Sequence, residues 1–138
     1  MDTGQESEII RMVGDYLTRQ DDVIAAYVFG SVATGRMRHG SDVDVAVLFA
    51  PVDMNRLASF ERCLELEMDL QDIVRRPVQV VDIDSVSLFL QHQIRKTGVR
   101  VVDKDPRLRS AQEVLSRERY LDLQPLYRHR VNMALRRL

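Results

Sequence analysis

The sequence predicts an α/β (α+β) domain built on one small sheet, with flanking helices and a helical C-terminal tail. Short apolar stretches rich in Val, Ile and aromatic residues alternate along the chain with longer stretches of helical periodicity. The chain has 138 residues, the size of a single domain. Because the predicted strands are few and short, we expect a sheet that helices cover mainly on one face.

Each element is predicted from its periodicity and from the residues that interrupt it. The predicted strands are 23–29, 42–49, 78–84 and 99–102. The predicted helices are 6–19, 54–74, 85–96 and a last region, 106–138, that Pro125 is expected to break. Ser85 is the expected N-cap of the third helix and Gly98 its stop. The helix over 54–74 is predicted from one apolar face: Leu57, Phe60, Leu64, Met68 and Gln71.

Composition limits the classes of function. A single cysteine, Cys63, excludes a disulfide framework and a cysteine-based zinc site, and we expect it to be a buried small hydrophobe. The longest apolar run is too short to span a bilayer and the acidic N-terminus is unlike a secretion signal, so a cytoplasmic location is predicted. A net charge of −1 argues against direct nucleic-acid binding. From residue 107 onward, eight arginines and three carboxylates make a basic tail. This tail is expected to face solvent, an acidic partner or a nucleic acid.

Two carboxylates begin the second predicted strand. Asp42 and Asp44 are one residue apart, so a strand points both side chains to the same face. Adjacent carboxylates repel each other unless a cation is shared between them. Mg²⁺ prefers carboxylate oxygens and completes its shell with phosphates and water. The pair therefore predicts a metal site that also serves a nucleotide.

A Gly-Ser pair ends the first predicted strand. Gly30 allows the backbone to approach a phosphate closely, and Ser31 can donate its N–H and hydroxyl at the start of a helical turn. Ser41, directly before the first aspartate, is also predicted to contact the nucleotide. The intervening residues suffice for a turn and a return, so the pair and the carboxylates are expected to meet at the sheet edge.

Gly30-Ser31, ten residues and then Asp42-Val43-Asp44 match a G-S-x10-D-x-D signature. On these motifs the chain resembles the polymerase-β-like nucleotidyltransferase superfamily, and most of all the minimal nucleotidyltransferases of the MntA antitoxin type. The resemblance extends to about residue 105. It implies a small mixed sheet, a minimal nucleotidyltransferase domain over 1–105, and a helical extension over 106–138 that packs on the domain or on a partner.

The resemblance also implies a reaction. A protein of this type transfers AMP from MgATP to a tyrosine hydroxyl of a helical HepT-like toxin, with which it forms a hetero-oligomer. Asp42 and Asp44 would be the catalytic metal ligands for two Mg²⁺ ions. A third carboxylate normally completes the site and helps to deprotonate the acceptor hydroxyl.

The third carboxylate is missing from its expected position. In the register implied by the resemblance, Gln79 stands where the family has an acid, and an amide can offer an oxygen but cannot accept a proton. Asp82 is the possible substitute, with Asp84 in the same parity, although a regular strand points both to the opposite face. Two alternatives therefore stay open: a degenerate nucleotidyltransferase that neutralises its partner by binding, and a small-molecule nucleotidyltransferase.

Overall fold

The computed structural model describes residues 3–36, 42–51 and 55–137. Within these residues, the helices are α1 (Thr3–Thr18), α2 (Arg56–Val74), α3 (Leu88–Thr97) and α4 (Pro106–Arg136). The strands are β1 (Val23–Phe29), β2 (Val43–Phe49), β3 (Val78–Asp82) and β4 (Val99–Asp103). The predicted fold class, a small mixed sheet flanked by helices with a C-terminal helix, is confirmed.

The four strands form one sheet in the order β3-β2-β1-β4. β1 pairs antiparallel with both β2 and β4, whereas β2 and β3 run parallel because α2 carries the chain back between them. Asp44 on β2 consequently has two direct neighbours, Phe29 on β1 and Gln79 on β3. This register brings the three motif-bearing segments of the sequence to one end of the sheet.

Helices cover both faces of the sheet, so the expectation of one mainly covered face is wrong. One face packs against α1 and α2 and includes Val43, Val45 and Val47. The other face packs against α3 and the start of α4 and includes Ala46 and Leu48. β2 is apolar on both sides because it is buried between two layers of helices.

α2 is a helix as predicted, but the apolar face that predicted it lies toward solvent. Leu57, Phe60 and Met68 are each more than 60% exposed. The helix buries a different set of residues: Ser59, Cys63, Leu66, Leu70 and Val74. Two apolar lines therefore run along α2, and only the line that contains Leu66 and Leu70 packs against the sheet. Cys63 is buried, as predicted.

α3 begins two residues later than the predicted N-cap would place it. Ser87, rather than Ser85, caps the helix, and its side-chain oxygen accepts a hydrogen bond from the N–H of Leu90 at 3.1 Å. Ser85 instead lies in the preceding turn, where its N–H donates to the carbonyl of Asp82 at 2.9 Å. Gly98 ends the helix as predicted.

α4 continues through Pro125, so the predicted break is wrong. A proline removes one backbone hydrogen bond, and here the freed carbonyl lies on an exposed stretch where water can satisfy it. Asp105 caps the start, accepting a hydrogen bond from the N–H of Leu108 at 3.1 Å. The first half of α4 packs on α3, where Tyr120 stacks on His92 with ring centroids 4.4 Å apart. The division of the chain at residue 105 stays a prediction.

Across the described ranges, no helix combines the length and the apolar character needed to cross a bilayer.

Candidate active site

β1 ends at a tight turn that begins with Gly30. This glycine adopts φ +74°, in the left-handed region that side chains disfavour. Its carbonyl accepts the N–H of Thr34 at 3.2 Å and the Thr34 hydroxyl at 3.1 Å, so the predicted helical turn is a single closed turn. Val32 anchors the turn in the core, and Ser31 remains half-buried beside it. Sequence reasoning passed over Thr34, although a hydroxyl four residues after the glycine is the signal for this bond.

The glycine and the second aspartate of the motif are in close contact. A Cβ atom placed on Gly30 would lie 2.5 Å from Oδ2 of Asp44, far inside van der Waals contact. The contact follows from the register, because Asp44 pairs with Phe29, the residue directly before the glycine. The two halves of the sequence motif, ten residues apart in the chain, therefore form one compact structure.

Asp42 and Asp44 differ in their surroundings although they are only two positions apart. Asp42 precedes β2, and Asp44 is its second residue. Asp42 is exposed just before the strand, whereas Asp44 is half-buried within it. Burial raises the pKa of Asp44 above its ordinary value, and the negative charge of Asp42 raises that pKa further. A cation near both carboxylates would stabilise their ionised forms and so counteract the rise in the pKa of Asp44.

Gln79 is the neighbour of Asp44 on the opposite side from Gly30. The two residues are direct partners in the parallel pairing of β2 with β3, at the usual inter-strand spacing of about 4.8 Å. Directly paired residues project to the same face, so the exposed Gln79 side chain stands next to the carboxylate. Its amide adds oxygen and nitrogen atoms to this face but no negative charge.

Asp82 lies on the other face of β3. Its carboxylate accepts a hydrogen bond from the Ser59 hydroxyl on α2 at 2.6 Å, and its other oxygen accepts the N–H of Asp84 at 2.9 Å. The structure thus ties Asp82 to α2 and does not bring it to Asp44. Ser41 lies outside the described residues.

The donors at this end of the sheet suit a hard divalent cation. Two carboxylates and one amide oxygen are the ligand types that Mg²⁺ takes, with water or phosphate oxygens completing its shell. Among residues 3–36, 42–51 and 55–137, no three His, Cys, Asp or Glu side chains converge as a metal cluster. The carboxylate pair is therefore short of the third acid that would make it a metal site of protein ligands alone.

Comparison with known proteins identifies relatives of this arrangement. The family model described as "Polymerase beta, Nucleotidyltransferase" matches residues 12–107, more than half of the chain. That span contains the glycine turn, both aspartates and β3. No match is found among curated proteins.

Solved structures resemble the whole chain, including α4. A chain from a crystal structure of a toxin–antitoxin complex with AMP-PNP has a TM-score of 0.69 at 23% identity, covering 98% of this chain and 99% of that one. A mutant of the MntA–HepT toxin–antitoxin complex gives 0.69 at 25% identity, covering 94% and 97%. A chain from the Shewanella oneidensis complex of a tri-AMPylated HEPN toxin with an MNT antitoxin gives 0.65 at 24% identity, covering 98% and 99%. These likenesses show a shared fold.

Proposed function

Because the chain belongs to the polymerase-β nucleotidyltransferase family, we propose that it is an antitoxin that transfers AMP from MgATP to a tyrosine hydroxyl of a helical partner toxin. The observation that carries the proposal is the close approach of Gly30 to Asp44, which puts a turn suited to phosphate beside a carboxylate suited to a metal ion. The similar solved chains come from toxin–antitoxin complexes, one of them with an AMPylated toxin, and this favours the same acceptor class.

Each residue has a distinct role in the proposed reaction. The turn at Gly30 and Ser31 binds and orients the phosphates, with the backbone approaching closely because the glycine has no side chain. Asp42 and Asp44 hold Mg²⁺, which when bound stabilises the charge that develops on the transferring phosphoryl group. The acceptor oxygen forms a bond to the α-phosphorus, the bond to pyrophosphate breaks, and the hydroxyl proton leaves.

Gln79 determines how fast this reaction proceeds. A carboxylate in its place could accept the proton of the attacking hydroxyl, whereas an amide cannot. The proton must then pass to water, and the loss of a positioned general base costs a factor of about 10² to 10⁴ in rate. We therefore propose a slow enzyme that binds MgATP normally.

The test is a transfer assay with the partner toxin. The chain is incubated with ATP, Mg²⁺ and the helical protein encoded beside it, and the partner's intact mass is followed for a gain of one AMP. Tandem mass spectrometry should place the added group on a tyrosine. The Asp44→Asn variant, with its fold checked by circular dichroism, should lose transfer, because it removes a metal-binding charge without changing the side chain's size.

A second candidate function is neutralisation by binding without catalysis. Gln79 is the observation that favours it, because the described part of the site has two carboxylates rather than three. If the wild-type chain forms a stable complex with its partner but adds no AMP over many hours, the enzymatic proposal is wrong and this candidate replaces it.

A further inference from the structure

A small cavity lies between α3 and the first half of α4. Its volume is about 160 Å³, and residues of these two helices alone line it. Among them are His92, Arg95, Lys96, Glu113, Arg117 and Tyr120. The Gly30 turn, β2 and β3 contribute none of its walls, so the cavity is separate from the candidate active site.

The cavity is positively charged. Arg95, Lys96 and Arg117 line it against one carboxylate, that of Glu113, which leaves a net charge of +2. The carboxylate already has a cation of its own, because it forms an ion pair at 3.1 Å with Arg109, which does not line the cavity. In the part of the chain that the structure describes, the three lining cations form no ion pair. Their charge is therefore available to a ligand.

Arg95 is the most buried of the three cations. The residue is half-buried, and its Nε atom is fully buried without a hydrogen-bond partner. Buried polar groups are almost always hydrogen-bonded, and a charged donor without an acceptor costs free energy. The helix dipole explains why a cation stands in the last turn of α3, but it does not supply the missing acceptor. An anion from solution would supply it.

The spacing of the two helices at the cavity is fixed by direct contacts. His92 and Tyr120 stack with ring centroids 4.4 Å apart and an angle of 7° between the rings. Nearby, the Ser116 hydroxyl donates a hydrogen bond to Gln91 at 2.7 Å. The cations of α3 and the cation of α4 are thus held near each other by the packing of the helices. A site that is formed before its ligand arrives loses less entropy on binding.

We propose that this cavity binds a phosphate group, either of free inorganic phosphate or of a nucleotide. A phosphate group carries a charge of about −1.5 to −2 at pH 7, which matches the net charge of the cavity. The Arg95 guanidinium donates to the phosphate oxygens as a planar fork, and the exposed Lys96 and Arg117 approach from the two helices. Binding requires neither Mg²⁺ nor Asp44, so it does not depend on the proposed transfer of AMP.

A nuclear magnetic resonance titration of the full chain, without Mg²⁺, tests the site. The ligands are inorganic phosphate and AMP, added separately. Both should give saturable shifts in the signals of His92, Arg95 and Tyr120, and inorganic phosphate should leave the signals of the Gly30 turn in place. Tighter binding of AMP would identify a nucleotide phosphate as the ligand, whereas equal affinities would identify free phosphate.

Substitutions of the cations measure their contributions. Arg95→Gln should weaken phosphate binding by about tenfold or more, because it removes a charged, half-buried donor. Lys96→Gln and Arg117→Gln should each weaken it by about two- to threefold, because exposed charges are screened by water. Arg107→Gln is the matched control: it removes an exposed arginine of α4 that does not line the cavity, and it should leave the affinity unchanged.

Three results would overturn the site. They are the absence of saturable shifts with either ligand, phosphate shifts confined to the Gly30 turn, and equal weakening by Arg95→Gln and Arg107→Gln. The signals of His92 and Tyr120 verify that α3 stays packed on α4 in each variant. If Arg95→Gln does not fold, Arg95→Lys replaces it; this variant keeps the charge but should still weaken binding, because an ammonium group lacks the planar fork.

Discussion

Gln79 lies directly beside Asp44 on the neighbouring parallel strand, so an uncharged amide shares a sheet face with a half-buried carboxylate. The pairing is set by the register of β2 against β3. On this face of the sheet, the described residues of β2 and β3 contribute one carboxylate, that of Asp44, and Asp42 adds a second just before β2. Nucleotide binding and nucleotide transfer should therefore respond differently to changes at these positions.

Replacing Gln79 with an acid should accelerate AMP transfer. Gln79→Asp restores the residue type expected from the resemblance, and Gln79→Glu adds a charge with almost no change of shape. We expect the rate of transfer to the partner toxin to rise by about 10² to 10⁴, because the added carboxylate can accept the proton of the attacking hydroxyl. Initial rates with labelled ATP at saturating Mg²⁺ measure the effect.

Asp82→Asn is the control for these variants, because Asp82 is bound to Ser59 on the opposite face and its loss should leave the transfer rate unchanged. If neither acid at position 79 accelerates transfer, Gln79 does not occupy the third-acid position.

Gly30→Ala should weaken both stability and nucleotide binding. The added Cβ meets the Asp44 carboxylate at 2.5 Å, and φ +74° costs a residue with a side chain roughly 1–2 kcal/mol. We expect the free energy of unfolding to fall by at least that amount, measured by urea denaturation, and MgATP affinity to fall in a calorimetric titration.

Gly14→Ala is the matched control for Gly30→Ala. Gly14 lies within α1, where an added Cβ meets Val101 at an ordinary 3.4 Å and alanine is the better helix former. Equal losses of nucleotide affinity in both variants would contradict a specific role for the glycine turn.

Asp44→Asn should stabilise the chain at neutral pH in the absence of Mg²⁺. Burial raises the pKa of Asp44 above 3.8, so the folded state keeps its proton to higher pH than the unfolded state does. The stability of the wild type is then greatest below the unfolded pKa and falls as the pH rises through the raised folded pKa. An asparagine does not ionise, so its advantage should grow from acidic to neutral pH.

Denaturation midpoints of the wild type and Asp44→Asn across this pH range measure the trend. Mg²⁺ should narrow the difference at neutral pH by stabilising the ionised wild-type carboxylate. A difference that does not change with pH would mean that the ionisation of Asp44 has no effect on stability.

Tyr27→Phe should loosen the attachment of α4 to the sheet. The buried Tyr27 hydroxyl donates a hydrogen bond to Glu113 at 3.0 Å, and Arg109 donates to the other oxygen of that carboxylate at 3.1 Å. Removing a hydrogen bond to a charged group costs about 1.5–3 kcal/mol, to be measured by urea denaturation.

The Tyr27→Phe substitution should also change how the stability of the chain depends on pH above 10. Burial raises the pKa of Tyr27 to about 12, so the wild type should lose stability as the pH rises from 10 toward 12, and the phenylalanine variant should lose less. Tyr127→Phe, at a half-exposed position in the tail, is the control and should be close to neutral. If Tyr27→Phe lowers the free energy of unfolding no more than Tyr127→Phe does, the hydrogen bond from Tyr27 to Glu113 contributes nothing to stability.

The fold was largely predictable from the residue pattern of β2. Its side chains are apolar on both faces apart from Asp44, a pattern typical of a central strand between two layers of helices, although the number of strands led to the wrong expectation of one mainly covered face. Strand periodicity likewise predicted that Asp82 lies on the opposite face of β3 from Gln79. What it could not supply was the contact between Gly30 and Asp44, which depends on how β1 and β2 pair.

The errors arose where the sequence offers two equivalent choices. α2 has two apolar lines, and spacing alone does not indicate which one packs against the sheet, so the exposed line containing Phe60 was not foreseen. Ser85 and Ser87 are equally good capping residues until the turn between β3 and α3 is known. At Pro125 the rule that prolines break helices failed, because α4 is exposed there. Water can replace the lost backbone hydrogen bond, so its loss costs little free energy.

The genetic code gives the register of β2 and β3 an evolutionary consequence. Glutamine and glutamate codons differ only at the first base, so a single nucleotide substitution at codon 79 would place a carboxylate beside Asp44 without altering the shape of the side chain. The chain is thus one mutation away from a three-acid site. Under the proposed function, a population that carries both alleles would contain two forms of the same protein that differ by one proton acceptor and are expected to transfer AMP at different rates.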